Sequence, residues 1–262
     1  MDLCAGFKHA PLPCKPGGGA QLRKKLIAVL GVGAACALLA SAAFAAVQVT
    51  FNATVKPNKA NKPAGLNVKF ESTDPAAEQP PIMNRVVIKL NEGGKYNASK
   101  FPRCQLAKLQ ARGPNGCPSG SKIGSGRGVG YAKPVVTDPV NAKLTLFNGA
   151  KIGGKDTVLV YVFPDLGPTF VSVGKVTKKR SGGFDYTLDF NIPPIKTLPS
   201  APDASTALVD TKTPKKTIKK GKRKFSLIVT PKKCNKTWKA QGEFYFTTGE
   251  KVTTPFSSAC KK

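Results

Sequence analysis

From Val47 the chain alternates. Val47, Val49, Phe51, Ala53 and Val55 are apolar, while Gln48, Thr50, Asn52, Thr54 and Lys56 between them are polar. A period of two puts one set on a buried face and the other in water, as in a half-buried β-strand. The signal returns at Leu66, Val68 and Phe70 and at Val86, Ile88 and Leu90. Between these lies a proline-rich stretch, residues 74–81, that neither a helix nor a central strand accommodates. Residues 105–111 predict one or two helical turns, stopped by Gly113-Pro114. Residues 143–191 predict consecutive strands joined by turns at Asn148-Gly149, Gly153-Gly154 and Gly182-Gly183. Within them, residues 157–163 (TVLVYVF) are nearly all β-formers and predict a strand buried on both faces. Phe184, Tyr186, Leu188 and Phe190 alternate with polar residues and predict a half-exposed one. Beyond a proline-rich connector, strands are expected at 225–230, 237–241 and 243–248. Roughly ten short strands at this spacing predict an all-β fold, an antiparallel β-sandwich. No repeat of fixed period is present, and the connector near 192–204 is the only candidate for an internal boundary.

Ahead of the first strand, residues 26–47 form an apolar run broken only by Ser41, with Arg23, Lys24 and Lys25 immediately before it. Cations followed by hydrocarbon are an export signal, and Ala43-Phe44-Ala45 supplies the small-x-small pattern of signal-peptidase cleavage, with Ala46 as the new N-terminus. The expected organisation is therefore a leader or mis-assigned start at 1–22, a signal peptide at 23–45 and an exported domain at 46–262. The competing reading is an uncleaved signal anchor, because roughly 20 apolar residues can span a bilayer with the cations held inside. The alanine content favours cleavage. Either way residues 46–262 face outside, as a secreted or cell-surface domain. Cys4, His9 and Cys14 in the leader match no zinc spacing and lack a fourth ligand.

Export changes the reading of cysteine. Of seven cysteines, Cys104, Cys117, Cys234 and Cys260 follow the cleavage site, and an even set in an exported chain argues for disulfides. Four cysteines allow three pairings. Cys104 with Cys117 and Cys234 with Cys260 close the two short loops and are the expected pairs, each stabilising by roughly 3 kcal/mol under the loop-entropy model.

Phe101-Pro102-Arg103-Cys104, Gly113-Pro114-Asn115-Gly116-Cys117-Pro118, the run from Ser121 to Gly126, and the tail from Thr230-Pro231-Lys232-Lys233-Cys234 through Trp238 and Phe244-Tyr245-Phe246 to Cys260 carry a resemblance. Over about residues 85–262 the chain resembles a group of functionally uncharacterised exported actinobacterial proteins, β-rich and framed by cysteines. The resemblance implies an exported β domain and carries over no catalytic residue.

Composition narrows the chemistry. Forty-two Lys and Arg against 14 Asp and Glu give a formal charge of +28, and 26 Gly with 22 Pro among 262 residues suit a turn-rich fold. Residues 46–262 alone carry 37 cations and 13 acids, +24. His9 is the only histidine, so the exported part has none, which excludes Ser-His-Asp and Cys-His catalysis and histidine-ligated metals. No metal and no cofactor is expected. A carboxylate pair such as Asp185 with Asp189 could serve a glycosidase, but on one strand face these read as solvated surface. Ser119 and Lys122 fit S-x-x-K by letter, without the helix that motif needs. The run G-S-G-R-G-V-G from Gly124 has no following helix to present to a phosphate, and reads as a close-packed or bulged strand. The lone Trp238 is expected to pack on the Cys234 disulfide rather than to stack a sugar.

Twelve cations and no acid lie in residues 211–240. The candidate polyanion-binding residues are Lys212, Lys215, Lys216, Lys219, Lys220, Lys222, Arg223 and Lys224, expected on a flexible exposed segment. Lysines attract polyanions as point charges, without the forks and aromatics that read bases. The expected partners are anionic cell-envelope polymers or lipid headgroups and no specific nucleic acid, with membrane contact only through residues 23–47 if uncleaved. The expected function is that of an exported non-catalytic envelope or interaction protein. The alternatives are a carbohydrate-active hydrolase using a carboxylate pair and a single-pass anchored surface domain.

Overall fold

The computed structural model describes residues 47–196 and 202–262. The expected leader, the signal segment and the cleavage residues Ala43, Ala45 and Ala46 lie outside the described residues, as do positions 197–201 of the connector.

The alternation from Val47 becomes β1 (Gln48–Lys56), with Val49, Phe51 and Ala53 buried. β2 (Pro63–Thr73) and β3 (Met83–Asn91) follow, flanking the proline-rich loop, and then the two-residue β4 (Lys95–Tyr96). The predicted helical turns are α1 (Leu106–Arg112), ended by Gly113 at φ 58°. Four consecutive strands come next: β5 (Lys122–Ala132), β6 (Val136–Ile152), β7 (Lys155–Pro164) and β8 (Phe170–Ser181). β9 (Phe184–Asn191) precedes the connector. After it come β10 (Ser205–Thr213), the hairpin β11 (Thr217–Lys220) and β12 (Arg223–Ser226), the short β13 (Ile228–Val229), β14 (Thr237–Phe246) and β15 (Lys251–Ala259).

The fold is all-β and antiparallel. Its strands are more numerous and longer than the expected ten short ones, with β6 reaching 17 residues. Hydrogen bonding also joins 13 of them into one sheet, in the order β15-β14-β3-β9-β8-β7-β6-β5-β10-β2, with β1 on β2 and β13 and β4 extending from it. That sheet curls until its ends meet. Thr254 Oγ1 on β15 donates to Val49 O on β1 at 3.0 Å, Val47 N donates to Glu250 Oε1 at 3.2 Å, and Lys261 N donates to Asn58 O at 2.7 Å. Strand twist supplies the curvature, and side-chain and loop bonds, not a ladder, supply the closure. Strands from both sides of the connector interleave, since β10 lies between β5 and β2 and β14 lies beside β3.

The apolar face of every long strand points inward. One core patch joins Phe51, Phe70, Ile88 and Phe244, and a second joins Ile123, Leu144, Leu146, Val158 and Leu227. Outside, α1 covers β6–β8: Leu109, Cys104, Phe147 and Leu159 form a small third cluster. The start of β7, Thr157 to Leu159, is therefore buried on both faces, as its run of β-formers predicts, but the strand opens to solvent towards its end, where Phe163 is 50% exposed.

Two turns behave as read. Gly153-Gly154 and Gly182-Gly183 both have positive φ at each residue and close the β6–β7 and β8–β9 hairpins, the geometry of tight primed turns. Asn148-Gly149, expected as a third turn, lies within β6 instead. Asn148 is fully buried and its amide donates to the carbonyls of Ala98, Phe101 and Pro102 at 3.1, 3.4 and 2.9 Å. Its side chain ties down the segment ahead of α1 and leaves its backbone in the ladder. Likewise residues 237–246 form one strand, not two, because Gly242 stays paired and the rings of Phe244 and Phe51 fill the space beside it.

Candidate functional site

Both expected disulfides are present. Cys104–Cys117, with Cα atoms 5.0 Å apart, fastens α1 to the sheet, where Cys104 N also donates to Asn148 O at 2.8 Å. Cys234–Cys260, at 5.8 Å, ties the entry of β14 to the exit of β15.

The expected flexible basic segment is folded. Thr217 to Lys220 pair with Arg223 to Ser226 around Gly221, which has φ 58°. The hairpin is rooted by Leu227, fully buried in the second core patch, and by Asn97, whose amide donates to Ser226 O at 2.7 Å. Ile218 packs on that patch as well. The apolar residues among the lysines, overlooked beside so much charge, are what hold the segment.

Seven of the eight candidate cations, Lys212, Lys215, Lys219, Lys220, Lys222, Arg223 and Lys224, are exposed. Lys216 departs from the expectation: it is half-buried, its ammonium donates to Lys122 O, and desolvation lowers its pKa. Among the described residues none of the eight is in an ion pair with a carboxylate.

Topology adds cations that the sequence run does not contain. β10 ends, β1 turns into β2, β3 leads to β4, and β15 terminates at the same end of the curled sheet, as their registers require. Lys56, Lys59, Lys62, Lys95, Lys261 and Lys262, all exposed, thus share that end with the hairpin. The opposite end carries Asp74, Glu78, Asp138, Asp165, Asp203 and Glu250 in its loops and strand starts. Glu92, Asp156 and Asp185 also lie at the cationic end, and Lys133, Lys196 and Lys251 at the other, but the excess of unpaired cations is on the hairpin side, a gathering that strand pairing brings about.

The carboxylates are mostly engaged. Asp189 accepts two bonds from Arg85, both at 2.8 Å, and Asp185 accepts from Gly93 N at 2.8 Å. Glu92 pairs with Arg180 at 2.8 Å and Asp156 with Arg103 at 2.7 Å. Glu243 is buried on the outer face of β14, bound by Lys89, by Tyr245 Oη at 2.8 Å and by Lys251 at 3.2 Å. Burial would push its carboxyl up, but the bonds from Lys89, Tyr245 and Lys251 outweigh that and hold it at about 2. Glu78 too is pulled down by Lys133. A general acid needs the reverse shift. Ser119 lies in a 3-10 turn and Lys122 begins β5, so S-x-x-K has no helix here.

Inside the curl runs a cavity of about 300 Å³, lined mainly by aliphatic side chains from β2, β3 and β6–β10. Gly128 and Gly130 of G-S-G-R-G-V-G form part of its wall. Gly126 stands opposite Thr211 and Leu144, and Gly128 opposite Val209; of the two glycines only Gly128 lines the cavity. β5 is the close-packed strand expected, with register shifts near both ends. A Cβ at Gly126 would strike Asp210 O, so the glycine is needed for the approach of β10. At the cationic end a surface cleft adjoins the cavity, and Asn91, Pro231, Trp238 and Lys239 line both. Trp238 is 5% exposed, with its indole N–H donating to Lys233 O at 3.5 Å.

No family model, curated protein or solved structure matches the chain. Among the described residues no helix is long and apolar enough to cross a membrane.

Proposed function

We propose that the protein is an exported, non-catalytic interaction module whose cationic end holds it to anionic polymer of the cell envelope. The antiparallel all-β sheet offers a stable scaffold, and the two disulfides suit an oxidising compartment. The observation that carries the reading is the gathering of exposed cations without carboxylate partners on a rooted hairpin and the neighbouring loops, where they outnumber the few acids of that end, Glu92, Asp156 and Asp185. Lysines on a fixed scaffold present charge to a polyanion at little ordering cost.

The test is retention on an anionic wall-polymer fraction, with a neutral polysaccharide as control. Releasing counterions makes such binding strongly salt-dependent, so affinity should fall by about tenfold or more between 50 and 200 mM salt. Replacing Lys219, Lys220, Lys222, Arg223 and Lys224 by Gln should weaken it to a similar degree. Binding that ignores salt, or that the substituted hairpin retains in full, would refute the proposal.

A further inference from the structure

The interior cavity plays no part in a polyanion contact at the surface. We infer that it binds the hydrocarbon chain of a single-chain anionic amphiphile, a long-chain carboxylate, with the tail along the inside of the sheet and the head at Lys95 and Lys239.

Shape is the first argument. Val158, Val160, Val162 and Pro164 of β7 all line the cavity, and at ~3.3 Å per residue those positions cover about 20 Å. A volume of about 300 Å³ holds roughly ten water-sized units of ~30 Å³. That is room for one unbranched chain of about ten to twelve carbons. It also reaches the lower end of the size range of ligand pockets.

The walls supply the second. Val68, Ile88, Leu144, Val160, Leu188 and Val209 present only hydrocarbon, and a cavity so lined stays dry and takes apolar guests. Wall atoms facing a void forfeit dispersion contacts that a methylene chain would restore. Nor does the backbone force the void throughout: a Cβ at Gly128 would sit 3.5 Å from Leu208 O and 3.8 Å from Ala142 Cβ and Leu144 Cδ2, ordinary contact distances. Space is left open there beside a position that could be filled.

Polarity orients the guest. Among the described residues no carboxylate lines the cavity and its cations are Lys95 and Lys239, both exposed at its rim beside the adjoining cleft, where Glu92 is paired with Arg180 and Asp185 accepts from Gly93 N. The other end is bounded by Leu166, Ile195 and Ala204, with Leu166 44% exposed. A carboxylate head therefore belongs at the lysines and the methyl terminus near Leu166. This site uses none of the hairpin cations, although Lys95 belongs also to the cationic end proposed to meet the polymer.

Trp238 is the only tryptophan and lines the cavity, so its fluorescence reports on occupancy. The full chain is titrated with dodecanoate, shorter carboxylates down to hexanoate, and 1-dodecanol, all below micelle concentration. The expected result is saturable one-to-one binding of dodecanoate that weakens roughly fourfold for each methylene removed. Lys239→Gln should weaken dodecanoate several-fold and leave dodecanol unchanged. Gly128→Leu should abolish both with the far-UV dichroism retained. On the unaltered protein, 2-bromododecanoate should quench Trp238 strongly and 12-bromododecanoate weakly. Unsaturable partitioning, equal binding of hexanoate and dodecanoate, unchanged binding by folded Gly128→Leu, or the reverse order of quenching would overturn the inference. Should Gly128→Leu not fold, the chain-length series and the quenching pair decide alone. Dodecanol binding that survives 0.5 M salt while polymer binding is lost separates the two proposals.

Discussion

Glu243 shows how one side chain couples the outer face of the sheet to pH. It stands opposite Val87 of β3 and Thr253 of β15, and draws Lys89 and Lys251 onto itself from the two neighbouring strands. With a folded pKa of about 2 against 4.5 for a free carboxyl, the folded state binds fewer protons than the unfolded one between those values. A depressed carboxylate contributes stability that is fully present above about pH 4.5 and lost as pH falls towards 2, on the order of 3 kcal/mol. Glu243→Gln should therefore lower stability at pH 7 by about that amount and flatten the pH dependence between 4.5 and 2. Urea unfolding of both chains at pH 7, 4 and 3 checks it, and parallel curves would contradict it. Tyr245 adds to the same group, taking Arg85 and Lys251 over its ring at 5.1 Å each. Nothing in the sequence marks Glu243, since its three partners lie two residues away on one strand and across two others.

At the scale of elements, glycine does two different jobs on β5. The backbone of β10 comes so close to Gly126 that any side chain meets a carbonyl, whereas a Cβ at Gly128 would meet its neighbours at ordinary contact distances. Gly126→Ala should cost about 1–3 kcal/mol, as overpacking does, while Gly128→Ala should be near neutral or slightly stabilising. Thermal unfolding of the two variants gives the comparison, and equal shifts would mean the strands do not approach as described. The glycine run was legible as a close-packed strand because no helix signal follows it, but alternation alone could not say which neighbour crowds it. Asn148-Gly149 misled for a related reason. The pair favours a turn locally, yet three backbone carbonyls from residues 98–102 need a donor, and a buried amide that meets them outweighs the local preference. The hairpin at 217–226 was hidden under its charge, although Ile218, Phe225 and Gly221 carry its register and turn.

For the molecule as a whole, electrostatics opposes compactness. A net charge of +24 over residues 46–262 is concentrated by the fold at one end, where exposed lysines and Arg223 repel one another. The surface ion pairs, each worth about 0–1 kcal/mol, lose strength in salt, but the long-range repulsion loses more. Stability should accordingly rise with ionic strength, by about 1 kcal/mol or 2–4 °C in melting temperature between 10 and 300 mM salt. A melting temperature that falls over that range would show that the ion pairs dominate. The same concentration of charge is what the proposed polymer contact uses, so a bound polyanion should stabilise the fold in the same direction.

The sequence alone determined the all-β class, most strand positions from Val47 onward and the helical turn at 105–111, and it favoured the disulfide pairing that the structure then showed. These are local matters: a period of two, a turn residue or a short loop between cysteines is written in neighbouring residues. Tertiary structure alone decided that the strands form one curled sheet, that β10 wedges between β5 and β2, and that loops far apart in sequence pool their lysines at one end. It also decided that the inward faces leave a cavity at the glycines of β5. Register and closure depend on which strands pair across the whole chain, and a periodic pattern names the buried face without naming what it faces.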